Sequence, residues 1–177
     1  MLAVALSTGA PRWEVAVGDP RGTTELERIA DISGAPYVAG RDVCAVSYQG
    51  RIACFDTVSG TPRWGKAFSS DVGVDVDGSA VYAANERGTV QAFARDTGTS
   101  IWQNDQLKNR RLSTPVSSSR TVAVGDYQGY IHFFSKDNGL LLARVNTDGS
   151  PIVGVPVRTD ANLIFQTQSG TCLLYTS

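Results

Sequence analysis

Apolar residues in this chain come in short runs, each about one strand long, separated by polar turns, and no window carries the 3.6-residue spacing of an amphipathic helix. One unit can be read over residues 35–68. It holds Pro36-Tyr37-Val38, a turn at Arg41-Asp42, the run Val43-Cys44-Ala45-Val46-Ser47-Tyr48, and a hairpin turn at Gln49-Gly50. Arg51 to Asp56 follows, then the turn Asp56-Thr57-Val58-Ser59-Gly60, then a fourth run opening with Thr61-Pro62-Arg63-Trp64. Gly50 can take the positive φ that a tight hairpin needs. The Asp56 carboxylate can accept from the backbone ahead of it. Pro62 suits an outer edge strand, which can spare a ladder donor. The pattern predicts four antiparallel strands per unit and essentially no helix.

The unit recurs. Gly50-Arg51-Ile52-Ala53-Cys54-Phe55, Gly88-Thr89-Val90-Gln91-Ala92-Phe93, Gly129-Tyr130-Ile131-His132-Phe133-Phe134 and Gly170-Thr171-Cys172-Leu173-Leu174-Tyr175 are four copies of one motif. Their leading glycines step by 38, 41 and 41 residues. Gly60, Gly98 and Gly139 follow ten residues after the first three, and tryptophan stands four residues beyond a glycine at Trp13, Trp64 and Trp102. A period near 40 with glycine and aromatic markers predicts an all-β fold, a β-propeller of four-stranded antiparallel blades, about four of them present. Full blades are expected over 35–68, 72–104 and 114–145, the end of one blade over 1–17, and an incomplete last blade over 152–177. All form a single propeller fragment, which starts mid-blade as a piece of a longer protein. The tryptophans are expected to pack across to the next blade. Burying roughly 150–250 Å² of each at about 25 cal/mol/Å² gives a gross gain of about 4–6 kcal/mol. The fourth copy has Ala143 in place of tryptophan, so that joint is expected to be looser.

Composition adds limits. The net charge is −1 from 16 basic and 17 acidic residues, which gives no nucleic-acid footprint. No 18-residue apolar run predicts a membrane span. Cys44, Cys54 and Cys172 are too scattered for a disulfide framework. Cys54 and Cys172 occupy apolar repeat positions, so packed thiols are expected. Whether Cys44 and Cys54, which flank one hairpin, share a face depends on the parity of the loop between them. His132, the only histidine, lies mid-strand and reads as a strand residue rather than a ligand. No second histidine or cysteine cluster has metal spacing, and no phosphate-binding glycine loop appears, so no catalytic, cofactor-binding or metal residues are assigned.

The spacing from Gly9 to Gly60 is 51 residues, longer than the repeat. The excess is a charged linker over 18–34 that interleaves Leu26 and Ile29. It is expected on one rim beside the hairpin tips Tyr48-Gln49, Asn85-Glu86-Arg87, Asp126-Tyr127-Gln128 and Gln168-Ser169. That rim reads either as a protein-binding surface or as a solvated loop.

The spacing Asp56…Gly60…Trp64 resembles the repeat of quinoprotein-dehydrogenase-type propellers. The stretch Thr24-Glu25-Leu26-Glu27-Arg28-Ile29-Ala30-Asp31-Ile32 followed by Pro36-Tyr37-Val38, with Leu112-Ser113-Thr114-Pro115-Val116 and Val124-Gly125-Asp126-Tyr127-Gln128-Gly129-Tyr130, resembles the BamB family of outer-membrane assembly lipoproteins. The resemblance covers nearly the whole chain and implies the C-terminal half of an eight-bladed propeller. It also implies a periplasmic location on the outer membrane, lipid-anchored in the full-length protein. The implied role is a non-enzymatic subunit of the β-barrel assembly machine, without cofactor, that binds the POTRA domains of the barrel subunit BamA; other subunits of the machine are further candidate partners. The family's acidic contact position matches Asp31, with Arg28 and Glu25 as neighbours; Ser33 stands where a second acid is common. Two other readings remain open: a fragment of a quinone-dependent dehydrogenase, and a propeller adaptor with another protein partner. For the fragment itself, two arrangements are open: a closed four-bladed ring in which residues 11–17 complete the last blade, and a homodimer of half-propellers.

Overall fold

The computed structural model describes residues 1–18, 32, 34–160 and 162–176. Among them are seventeen strands and no helix. β1 (Leu2–Val4) and β2 (Pro11–Glu14) form a two-stranded ribbon. Three four-stranded sheets follow: β3 (Tyr37–Ala39) to β6 (Pro62–Ala67), β7 (Val74–Val76) to β10 (Ser100–Asn104), and β11 (Val116–Ser117) to β14 (Leu141–Asn146). β15 (Val157–Arg158), β16 (Asn162–Gln166) and β17 (Cys172–Thr176) make a three-stranded sheet. Within every sheet, sequential strands pair antiparallel, and the first strands β3, β7, β11 and β15 lie side by side around a common axis.

The apolar runs are continuous rather than alternating because the middle strands are covered on both faces. β8 (Ala80–Ala84) is buried at every position. Val81 and Ala83 point into a cluster with Cys44, Val46, Ile52 and Trp64 of the preceding sheet. Ala80, Tyr82 and Ala84 point the other way, to Val122, Val124 and Phe134 of the following one. The period of two is therefore present, but each face meets a neighbouring sheet instead of water. In each four-stranded sheet the register slips once between third and fourth strands, leaving Arg63, Ile101 and Leu142 without a cross-strand partner. Such bulges sharpen the local twist.

Each tryptophan is set on this skeleton. Trp64 is paired with Cys54 on its own sheet, and its ring lies over Gly98 of the next. Its Nε1–H donates to the Arg95 carbonyl at 2.7 Å. Trp102 repeats this with Gly139 and the Lys136 carbonyl at 2.7 Å, and Trp13 with Gly60 and the Thr57 carbonyl at 3.0 Å. The three glycines have φ of 71°, 67° and 70°, and a Cβ on Gly60 would lie 2.8 Å from the Trp13 ring. Backbone conformation and ring contact both demand glycine there.

Two cysteine expectations are corrected. Cys44 and Cys54 are directly opposed on β4 (Asp42–Val46) and β5 (Arg51–Asp56), with Cα atoms 4.1 Å apart, and form a buried disulfide. Ser47 N–H closes the hairpin on the Arg51 carbonyl, so the tip has the parity that puts both thiols on one face. Cys172 is exposed, not packed, because it lies on the outermost strand of a sheet with no fourth strand among the described residues. Nor do residues 11–17 complete that sheet. β2 pairs with β1, while Trp13, Val15 and Val17 pack on Val43, Ala45, Ala53 and Phe55.

Candidate partner-binding rim

The second-to-third-strand hairpins and the sheet-to-sheet linkers leave the same ends of the strands and are hydrogen-bonded into one rim. Ser70 N–H donates to the Ser47 carbonyl, Asn109 N–H to Arg87, Tyr127 N–H to Arg110, Ile152 N–H to Asp126 and Gln168 N–H to Pro151. Each hairpin tip is shaped by a short polar side chain three residues before its glycine. Ser47, Asn85, Asp126 and Thr167 accept from backbone N–H groups of Arg51, Thr89, Tyr130 and Thr171.

Asp126 differs from its three counterparts because it has a second carboxylate oxygen. That oxygen accepts from Arg110 Nη1 at 2.7 Å and from His132 Nε2–H at 2.8 Å, and both Asp126 and His132 are buried. Burial pushes the Asp126 carboxyl up, but the bonds from His132, the Tyr130 N–H and Arg110 outweigh it and hold it at about 2. Arg110 and Arg144 lie over the Tyr130 ring, 5.6 and 4.8 Å from its centroid. His132 is thus a packed residue of a structural ion cluster. On the last linker, Asp148 accepts from Ser169 and Thr167 hydroxyls and the Ser150 N–H, and is held well below the usual carboxylate range.

The candidate residues Glu25, Arg28 and Asp31 lie outside the described residues, as do Leu26 and Ile29. What is described is the two ends of their linker. Val17 is buried and its carbonyl accepts from Arg51 Nε at 2.7 Å, Gly18 lies beside Gly50, and Ile32 packs with Val43, Ala45, Ala53 and Phe55. The first end is therefore fixed at the tip of the β4–β5 hairpin, and the second is packed on the strands of the same hairpin.

The other rim carries the first-to-second and third-to-fourth-strand turns. Arg95 Nε pairs with Asp42 of the preceding sheet at 2.7 Å, and Lys136 pairs with Asp77 in the same way. Arg63 reaches both Asp42 and Asp56. Sequence reasoning missed these bridges, although Arg95 and Lys136 stand seven residues after Gly88 and Gly129 and so share one repeat position. It also missed Arg158, which sits on the axis. Arg158 donates to Asp75 Oδ2 at 3.1 Å, Ser117 Oγ at 2.6 Å and Tyr37 Oη at 2.6 Å, tying β15 to β3. Among the described residues no three His, Cys, Asp or Glu side chains are grouped to hold a metal ion.

Antiparallel four-stranded sheets arranged blade-wise about an axis lined by their first strands define a β-propeller. The crystal structure of BamB from Moraxella catarrhalis superposes with a TM-score of 0.91 at 32% identity, over 99% of this chain and 52% of that one. A family model described as outer membrane protein assembly factor BamB matches residues 1–104 and 86–176, and the chain belongs to that family. The assembly factor BamB of Bordetella pertussis is 45% identical over 175 residues, 98% of this chain and 45% of that protein. The assembly factor of Burkholderia pseudomallei is 44% identical over 170 residues, 96% of this chain and 45% of its own length. The chain spans about half the length of the curated relatives it matches.

Proposed function

We propose that this chain is a non-enzymatic scaffold in the assembly of outer-membrane β-barrel proteins, at the periplasmic face of the outer membrane and lipid-anchored in the full-length protein. It presents its linker rim, with Glu25, Arg28 and Asp31, to the POTRA domains of the barrel subunit BamA. No bond is made or broken; the work is rigid presentation of a surface. The observation that carries this reading is the match to BamB assembly factors along 98% of the chain. Two features support it. The buried Cys44–Cys54 disulfide fits an oxidising compartment such as the periplasm. The linker that bears Asp31 begins at the tip of the β4–β5 hairpin and ends packed on the strands of that hairpin, which gives a binding loop a stiff base.

The test is a titration of the protein against purified POTRA domains, with Asp31→Arg in parallel. The reading expects binding that Asp31→Arg weakens about fivefold or more, which is about 1 kcal/mol. Binding that ignores the substitution keeps the partner and moves the site. No binding by the folded full-length protein removes the POTRA assignment.

A further inference from the structure

A cleft of about 190 Å³ crosses the rim between the blade of β7–β10 and the two that follow, lined by Asp71, Glu86, Arg111, Leu112, Tyr127 and Val153. Small-molecule sites usually run to roughly 300–1,000 Å³, so this one suits a single long side chain. Its walls are fixed. The linker that supplies Arg111 and Leu112 is bonded to the tip on one side through Asn109 N–H to Arg87, and to the tip on the other through Tyr127 N–H to Arg110.

Glu86 is the unusual residue. The turn it sits in does not need it, because Asn85 already accepts the N–H groups of Arg87 and Thr89. Yet its Oε2 is shielded from water and has no hydrogen-bond partner. Its Oε1 lies 3.9 Å from Arg87 Nε, whose side chain is 86% exposed, a pairing of little strength. A shielded carboxylate oxygen without a partner is disfavoured by lost solvation, here on a side chain that is 30% exposed overall.

Arg111, on the same cleft, does not relieve it. Its guanidinium is stacked over the Tyr127 ring, 5.3 Å from the centroid, and pairs with no carboxylate among the described residues. Its φ of 49° is a left-handed conformation that costs a non-glycine residue roughly 1–2 kcal/mol. Strain of this kind, beside an unsatisfied charge, points to a site kept for something other than stability. Around the mouth, Tyr127 is 49% and Val153 60% exposed, an apolar collar that suits the stem of a long side chain and the surface of the protein carrying it.

We propose that this cleft receives a lysine or arginine side chain from a protein partner, its cationic head pairing with Glu86 and its stem lying between Leu112, Val153 and Tyr127. This contact rests on the scaffold reading only in placing the partner on the linker rim. It is a second contact, separate from the linker residues, and it supplies the close cationic partner that Glu86 Oε2 lacks.

The test uses the full-length protein in cells with the photo-crosslinking residue p-benzoylphenylalanine in place of Tyr127, and in place of Val58 on the opposite rim as a control. The expected result is a protein crosslink from position 127, absent from position 58, mapping next to a lysine or arginine of the partner and reduced at least fivefold by Glu86→Gln. Glu86→Gln is nearly isosteric and removes a charge whose pairing, to exposed Arg87, is weak, so its melting temperature is expected to be unchanged or higher, which separates lost binding from lost fold. A Glu86-dependent crosslink next to a lysine or arginine of a protein other than the barrel subunit upholds the cleft and leaves the POTRA assignment to the titration. No crosslink from position 127, or one that Glu86→Gln leaves intact, overturns the cleft, while the titration with Asp31→Arg decides the scaffold reading independently.

Discussion

On the turn rim, Arg63 and Arg95 meet at Asp42, Arg63 also holds Asp56, and Lys136 holds Asp77, so charge crosses from one blade to the next and is neutralised there. On the linker rim, Asp126 gathers Arg110 and His132 within one blade and its linker, while Arg111 faces a cleft without a carboxylate partner among the described residues and Glu86 has only the weak 3.9 Å contact to exposed Arg87. The two rims are made by the same repeat, and they differ in what their connections must do. The turns are short and abut the neighbouring blade, so a basic side chain can bridge to it. The linkers are longer and carry their own shape, which leaves side chains free to face outward. One rim fastens blade to blade; the other has surface to offer.

Breaking the fastening tests this contrast most severely. Trp64→Ala or Trp102→Ala is expected to destabilise by about 3–5 kcal/mol in chemical denaturation, since each ring and its N–H bond are lost from a joint that glycine has shaped to fit. Removing the cross-strand link by paired Cys44→Ala and Cys54→Ala comes next, at about 2–4 kcal/mol, read by comparing melts with and without reductant.

Asp126→Asn should cost about 2 kcal/mol at neutral pH. The sign follows from a carboxyl held at about 2 when folded and near 3.9 when unfolded. Its contribution is complete above the unfolded value and disappears as pH falls through the folded one. The gap between wild type and Asp126→Asn should therefore close between about pH 4 and pH 2, and a constant gap across that range would sink the assignment. The smallest effects sharpen the comparison of rims. Arg95→Gln, on the turn rim, should cost about 1 kcal/mol and the loss should shrink in high salt. Glu86→Gln, on the linker rim, should cost nothing in stability.

The propeller was legible in the sequence because its signals are local and periodic. Glycine-led hairpins and β-rich runs, with an edge proline at Pro62, specify the strands from neighbours close in the chain, and β5 begins and ends where the pattern of Arg51 to Asp56 says. What was not legible depends on contacts between distant segments. The disulfide turned on the parity of one hairpin tip, and Cys172 on which strand another sheet would cover. Asp126 looked like any turn residue until Arg110 arrived from a linker and His132 from its own hairpin. Arg158 and Tyr37, 121 residues apart, carry no mutual signal in the chain. Glu86 was visible only as part of an exposed tip, since an unsatisfied oxygen is a property of its surroundings.

The tryptophan joints also bear on how the molecule comes apart. Each one links a sheet only to the next, so the three make a linear series in which cooperativity passes between nearest neighbours. The series runs from Trp13 to Trp102 and then reaches Ala143 on β14, where no residue is fully buried. Amide exchange should accordingly be fastest in the sheet of β15–β17 and slow toward β8 and β9. Arg158 works against that gradient, because its bonds to Asp75, Ser117 and Tyr37 attach the fraying end to three blades at once along the axis. A side chain at the hub thus converts a row of independent hinges into a circuit, in which opening any one blade is felt by the others.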